Sequence, residues 1–376
     1  MSTLLEKFKS KAVANNQLLS VTLELTYRCN LDCFICYNDR GAQGQLVSLK
    51  QYKSLLLSLQ KMQVMFLTLT GGEPMLHPEF WPLASYAREL GFAVHLKTNG
   101  HALNKALATR LKEVVDTSIV DISIHGASAQ IHDRQTGIPG SFKRLMRNLE
   151  ILRSLGVRVN LVATISQWNF NEMKKIYAIA NQFGFNLIAS SSITPRDNGD
   201  PAPQSISISA EQTKQLITFQ AGHLKSKIVN FDSSYKFDSG VQHKKEIAAP
   251  QNTETPVNKQ CGSGSSILVI DPYGRVYPCM QLRRLLGNIH RQSIEEIWNH
   301  SQTLKDVRAL AAKAKQLVDS YGEGSEYMGF CMGLAELATG NPVKIYPQAK
   351  QHFELNRKIQ RKDPIKQTSA PVKNPV

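Results

Sequence analysis

No stretch of this 376-residue chain is apolar for long enough to span a bilayer. Its first residues, MSTLLEKFKSKAVANNQ, set charges among the apolar positions and lack the uninterrupted core of a signal peptide. The two absences lead to a cytoplasmic protein with no membrane partner as the expectation. Acid is in short supply: 30 Asp and Glu face 45 Lys and Arg, a formal net charge of +15. Such an excess can steer an acidic peptide, an anionic metabolite or a nucleic acid. Neither aromatic interleaving nor an RNA-binding motif accompanies it, which disfavours nucleic acid. No repeat of solenoid length is present. Cysteine is scarce as well, with six in the chain, and without export these are expected as free thiols.

What cysteine there is lies clustered. Cys29, Cys33 and Cys36 fall in YRCNLDCFICYN, directly after a strand-like run at 21–25. Three thiolates on one tight loop can hold three irons of a four-iron cube and leave the fourth without a protein ligand. An open iron is a place for chemistry. A structural zinc site competes with this reading, but zinc normally takes four protein ligands, often as two pairs, and no second pair lies near in sequence. Buried thiols are the third reading.

The chain is long enough for one large domain and a smaller one. Six strand-like runs, at 21–25, 64–70, 93–98, 118–124, 157–165 and 185–190, alternate with helical patterns at 49–61, 80–90, 104–113, 142–155 and 171–183. Gly91, Gly156 and Gly184 stand where helix C-caps belong. Six strand–helix repeats predict a parallel α/β sheet with right-handed crossovers, either a partial barrel or a doubly wound sheet. In both, ligands gather at the C-terminal ends of strands. The cysteine loop and the turn Gly71-Gly72-Glu73-Pro74, after the second strand, both fall there. Paired glycines let the backbone approach a ligand closely, and a neighbouring carboxylate can receive an ammonium group. Alone, GGEP is an ordinary turn.

The cysteine triad followed by Gly71-Gly72-Glu73-Pro74 strongly resembles the radical S-adenosylmethionine (SAM) superfamily, over residues 20–192. The resemblance implies a partial (β/α)6 barrel. It also implies a [4Fe–4S] cluster whose open iron chelates SAM, with an electron cleaving the sulfonium to give a 5′-deoxyadenosyl radical that takes hydrogen from substrate. Carried over by position, Cys29, Cys33 and Cys36 ligate the cluster, and Gly71, Gly72 and Glu73 hold the SAM amino group. Thr98, Asn99, Ser123 and His125 become ribose and carboxylate contacts. For His125 a satisfied polar contact is the equal alternative, and Glu24 and Arg28 read as either site tuning or an ion pair. Ile35 departs from the aromatic residue usual before the last cysteine. No catalytic residue on the substrate side is assigned.

Cys261, the hairpin ending at Cys279, and Cys331 resemble the SPASM/Twitch extension, a smaller hairpin-plus-helices domain holding auxiliary clusters. Seven or more cysteines are usual there. With three, at most one auxiliary [4Fe–4S] cluster has ligands, and inert thiols are the alternative. The expected layout is a lead at 1–19, a core at 20–192, a linker or covering segment at 193–259, the extension at 260–346 and a basic, disordered tail at 347–376. The resemblance favours a peptide or protein substrate. Sugar, nucleoside or cofactor-precursor chemistry is the second reading, and an iron–sulfur carrier the third. An electron donor of flavodoxin or ferredoxin type is expected. The short lead leaves no room for a leader-binding domain, so a separate leader-peptide-binding protein is a candidate partner.

Overall fold

A computed structural model describes residues 4–228, 258–325 and 328–362. Its strands are β1 (Ser20–Glu24), β2 (Phe66–Thr70), β3 (Ala93–Thr98), β4 (Ile119–Ser123), β5 (Val159–Thr164), β6 (Asn186–Ser190), β7 (Ile267–Ile270), β8 (Arg275–Tyr277) and β9 (Gly287–Asn288). The helices are α1 (Leu4–Ala14), α2 (Leu49–Lys61), α3 (Phe80–Glu89), α4 (Lys105–Arg110), α5 (Ala129–Thr136), α6 (Ser141–Ser154), α7 (Met173–Phe183), α8 (Ala210–Ile228), α9 (Ile294–His300), α10 (Gln302–Asp319), α11 (Met332–Thr339) and α12 (Pro347–Lys362).

All nine strands form one sheet, in the order β6-β5-β4-β3-β2-β1-β7-β8-β9. From β1 to β6 the pairing is parallel and always steps in the same direction. Right-handed crossovers that never reverse direction put every connecting helix on one face. This decides between the two architectures: the core is a partial barrel, open because β6 and β1 do not pair. Strand residues alternate accordingly. Val21, Leu23, Leu67, Leu69, Val94, Leu96, Val120 and Ile122 share one apolar core with Leu56, Leu83 and Leu149 of the helices. Thr22, Glu24, Thr68, Lys97, Asp121 and Asn160 take the other face.

The hairpin of the C-terminal unit joins the core sheet: β7 pairs in parallel with β1 and carries β8 antiparallel. Residues 4–14 of the lead are helical. One expectation needs correction: the tail begins as a helix, α12, where disorder was expected. Read as polar, that segment still places Ala349 and Phe353 one helical turn apart. Both are buried in a second core with Tyr346, Val318 and Met332. The disorder expected for 363–376, and much of the expected linker (229–257), lie outside the described residues. No described helix is long and apolar enough to cross a membrane.

Candidate active site

The cysteine loop and the glycine turn are knitted backbone to backbone. The Gly72 amide donates to Thr26 O at 2.6 Å and the Glu73 amide to Arg28 O at 2.9 Å. In return, Asn38 Nδ2 donates to Gly71 O at 3.0 Å. A Cβ on Gly71 would lie 2.3 Å from Thr26 O, and one on Gly72 2.4 Å from Arg28 O. Gly71 also adopts φ +132°, where side chains are rarely tolerated. These glycines therefore serve a chain-on-chain approach, where the sequence suggested approach to a ligand. On its far side the loop hangs from α5, with Asp32 N donating to Thr136 O and Phe34 N to Gln135 O. Arg196 Nη1 holds Cys36 O at 3.0 Å, and the Phe34 ring packs on Trp168.

Glu73 is fully buried. The Thr98 hydroxyl lies 2.8 Å from both its oxygens, and the amides of Asn99 and Met75 donate to it at 2.9 and 3.2 Å. Burial raises its pKa against those donors. A carboxylate so placed anchors the β2 and β3 ends, and this corrects two expectations. Glu73 does not present its side chain to an ammonium group, and the Thr98 hydroxyl faces Glu73, not a ribose. Asn99 instead turns Nδ2 toward Cys29 Sγ (3.6 Å) and Asn30 Oδ1 (2.7 Å). His125 is buried with Nε2 4.0 Å from Cys33 Sγ, beside the rings of His132 and, beyond it, His101. Burial lowers His125 and His101 to about 4 and His132 to about 3, so all three imidazoles are neutral. Ser123 sits partly exposed at the end of β4.

The three thiols feel one another. Cys33 is pushed up to about 12, first by burial and then by Cys36 and Cys29. Cationic Arg40 lies against the same group, in a hydrogen bond with Cys36. Leu31 N donates to Cys29 Sγ at 3.4 Å. Among the described residues no three His, Cys, Asp or Glu side chains close around a single metal ion. A four-iron cube asks for something else: thiolates spread over three irons, with N–H donors at the sulfurs. The loop fits that group better than it fits zinc.

The fold also gathers the distant cysteines. Cys261 is raised to about 11, by burial first and also by Cys279 and Cys331, so the three are neighbours although the last two lie 52 positions apart in the chain. Leu282 N donates to Cys279 Sγ at 3.2 Å. The amides of Leu334 and Gly333, opening α11, act on Cys331.

Sequence reasoning missed the link between the two cysteine sets. Glu24, buried at the end of β1, receives Arg283 in a two-pronged bond of 2.9 and 2.7 Å. Tyr27 and Tyr37 donate hydroxyls to the same carboxylate at 3.1 and 3.4 Å, and Arg283 also reaches Asp197 at 3.2 Å. Arg28 is exposed and is not the partner of Glu24. Nothing local in sequence could pair residues 259 positions apart; an unexplained buried acid beside the cysteines was the only signal.

Comparison with known proteins agrees with this geometry. Residues 23–180 match the model of the radical SAM superfamily, and residues 261–321 that of SPASM, an iron–sulfur cluster-binding domain. The chain belongs to the radical SAM superfamily. It is accordingly a radical SAM enzyme, using a [4Fe–4S] cluster with SAM, and it carries an iron–sulfur cluster-binding domain behind the barrel. Mycofactocin maturase MftC of Mycolicibacterium smegmatis is 29% identical over 333 residues, covering 86% of this chain and 80% of that protein. AdoMet-dependent heme synthase of Methanosarcina barkeri is 29% identical over 342 residues, covering 87% and 95%. Native anSMEcpe with bound AdoMet and Cp18Cys peptide has the same fold, with a TM-score of 0.67 at 18% identity, covering 92% of this chain and 98% of that one.

Proposed function

We propose that this radical SAM enzyme modifies a peptide or protein, with Cys29, Cys33 and Cys36 as ligands of the SAM-binding cluster. When bound, cluster and SAM together supply a 5′-deoxyadenosyl radical that abstracts hydrogen from an unactivated C–H bond. The chain's own part is placement. Gly71 and Gly72 press the glycine turn against the cysteine loop and leave its carbonyl edge for the SAM ammonium. Glu73 braces the β3 end from inside. Asn99 and His125 stand as N–H donors to the Cys29 and Cys33 sulfurs, and Ser123 is left as a contact for SAM. Cys261, Cys279 and Cys331 hold an auxiliary cluster, and reduction draws on a flavodoxin- or ferredoxin-type donor. The observation that carries this reading is the double backbone lock of Gly72 and Glu73 onto Thr26 and Arg28.

A peptide substrate is supported by the similarity to a maturase, and a small molecule by the similarity to a heme synthase. Anaerobically reconstituted protein with dithionite should release 5′-deoxyadenosine from SAM, and Cys33→Ala should release none. Wild type loaded with a full cluster but silent under varied reductants would refute the reading. Co-expression with short peptides encoded beside its gene separates the substrates. A Cys33-dependent mass change in a peptide supports the first, and unchanged peptides beside an altered haem precursor support the second.

A further inference from the structure

A cavity of about 160 Å³ lies where the core meets the C-terminal unit. One wall is the segment after β6, residues 191–195, and the facing wall is α11 with the start of α12. None of the cysteines lines it, and none of the inner strand face does. The cavity stands beside the reaction centre and not within it. Its walls are nonetheless tied to both cysteine sets. Arg196 and Asp197, which follow the first wall, donate to Cys36 O and Tyr37 O at 3.0 and 2.7 Å. The second wall, α11, begins directly after Cys331. Buried Met328, Tyr346 and Ala349 close the cavity inside, and Leu337, 51% exposed, stands at its opening. Ser192, Thr194, Gln204 and Gln348 also face it, and their side chains have no hydrogen-bond partner among the described residues. No described Lys, Arg, Asp or Glu lines it, and burial lowers the pKa of His352, which is therefore neutral at pH 7.

We infer that this cavity holds one bulky aliphatic or aromatic side chain of a peptide substrate, at a position away from the residue that reacts. The inference rests on the peptide reading above and adds a recognition element outside the barrel. The lining selects the occupant. A charged group would lose its water here and gain no counter-charge. A cavity of this volume accepts a group the size of benzene, and an apolar interior with a few hydrogen-bonding groups is the usual make-up of a specific pocket. Burial of the anchor side chain supplies the affinity. The peptide groups on either side of it meet the hydroxyls and amides of Ser192, Thr194, Gln204 and Gln348, which both donate and accept.

The test uses the reconstituted full chain and fluorescein-labelled decapeptides of one Ser/Gln sequence, with Phe, Leu, Ala or Lys at the centre. Fluorescence anisotropy should show the Phe or Leu peptide bound about tenfold more tightly than the Ala peptide, a preference of ~1.4 kcal/mol. The Lys peptide should gain nothing over Ala. Leu337→Asp sets a charge at the opening and Ala338→Trp fills the space, and each should remove the gap. Leu337→Ile should keep it, as should Leu57→Asp at an exposed leucine of α2. Equal binding of the Phe, Leu and Ala peptides overturns the proposal, as does a gap that survives both Leu337→Asp and Ala338→Trp. Benzyl alcohol that displaces the Phe peptide as well as unlabelled peptide does also overturns it, because the cavity then takes a small molecule. Binding needs neither SAM nor turnover. Equal binding beside a Cys33-dependent mass change in a peptide thus refutes this site alone, and a wild type that releases no 5′-deoxyadenosine refutes the radical reading alone.

Discussion

Single residues at the glycine turn act through space that is already filled. Gly72→Ala forces a Cβ to within 2.4 Å of Arg28 O, a backbone atom that cannot rotate away. Overpacking of this kind costs ~1–3 kcal/mol, and the chain that must yield leads straight to Cys29. The expected outcome is a folded protein with reduced iron loading at the first cluster, read by iron analysis, with 5′-deoxyadenosine release falling in step. Asp197 makes a different kind of prediction. Burial raises its carboxyl from 3.8 to about 6, with Glu24 adding to the rise and Arg283 opposing it. A carboxyl raised on folding holds its proton more tightly in the native state. Its contribution is therefore complete below pH ~4 and is lost as pH climbs through about 6, ~2 kcal/mol over the window once solvent screening of this part-exposed carboxyl is allowed for. Asp197→Asn should flatten that part of the stability–pH curve. A slope between pH 4 and 6 unchanged in chemical denaturation would remove Asp197 as its source.

Among elements, the decisive contact joins the end of β1 to the segment after β8. Arg283→Met would leave Glu24 buried without its cation, and breaking one side of such a pair costs ~3–5 kcal/mol. Pairing it with Glu24→Gln should recover much of the loss, a coupling that a double-mutant cycle of denaturation midpoints would reveal. Additive losses would mean the two side chains act independently. This contact also marks where sequence stops being readable. Strands such as Ala93–Thr98 and the helix Leu49–Lys61 follow from local periodicity, and both cysteine loops follow from spacing. Arg283 belongs to the site only because β7 joins β1, and Asp197 only because the segment after β6 bonds back to Tyr37 O; topology decides both, not neighbours in the chain. The same limit hid α12. Its composition is that of a solvated tail, but two apolar residues a turn apart find a core that the preceding helices build. Glu73 was visible as an acid at a strand end, but its inward orientation depends on Thr98 and Asn99 from the next strand.

For the whole molecule, one sheet spans both cysteine sets, and this sets what can be removed. The turn between β7 and β8 also grips the segment after the first cysteines: Val47 N donates to Pro272 O, Tyr273 Oη to Ala42 O, and Arg275 Nη2 to Gln43 O. Cutting the chain after Ile228 would strip β1 of an edge partner, Glu24 of Arg283 and the 42–47 segment of its anchor together. The barrel is thus not expected to hold its cluster alone, although its family model ends well before that cut. Replacing Cys261, Cys279 and Cys331 by alanine keeps every one of those contacts. That variant should fold, hold about four irons where the wild type holds about eight, and still release 5′-deoxyadenosine from SAM in the absence of substrate. The two alterations thus separate the C-terminal unit as scaffold from the same unit as a cluster carrier. A truncated barrel that loads about four irons and cleaves SAM would show that the shared sheet is dispensable for the first site. A triple variant that loses all its iron would show instead that the two cysteine sets assemble as one.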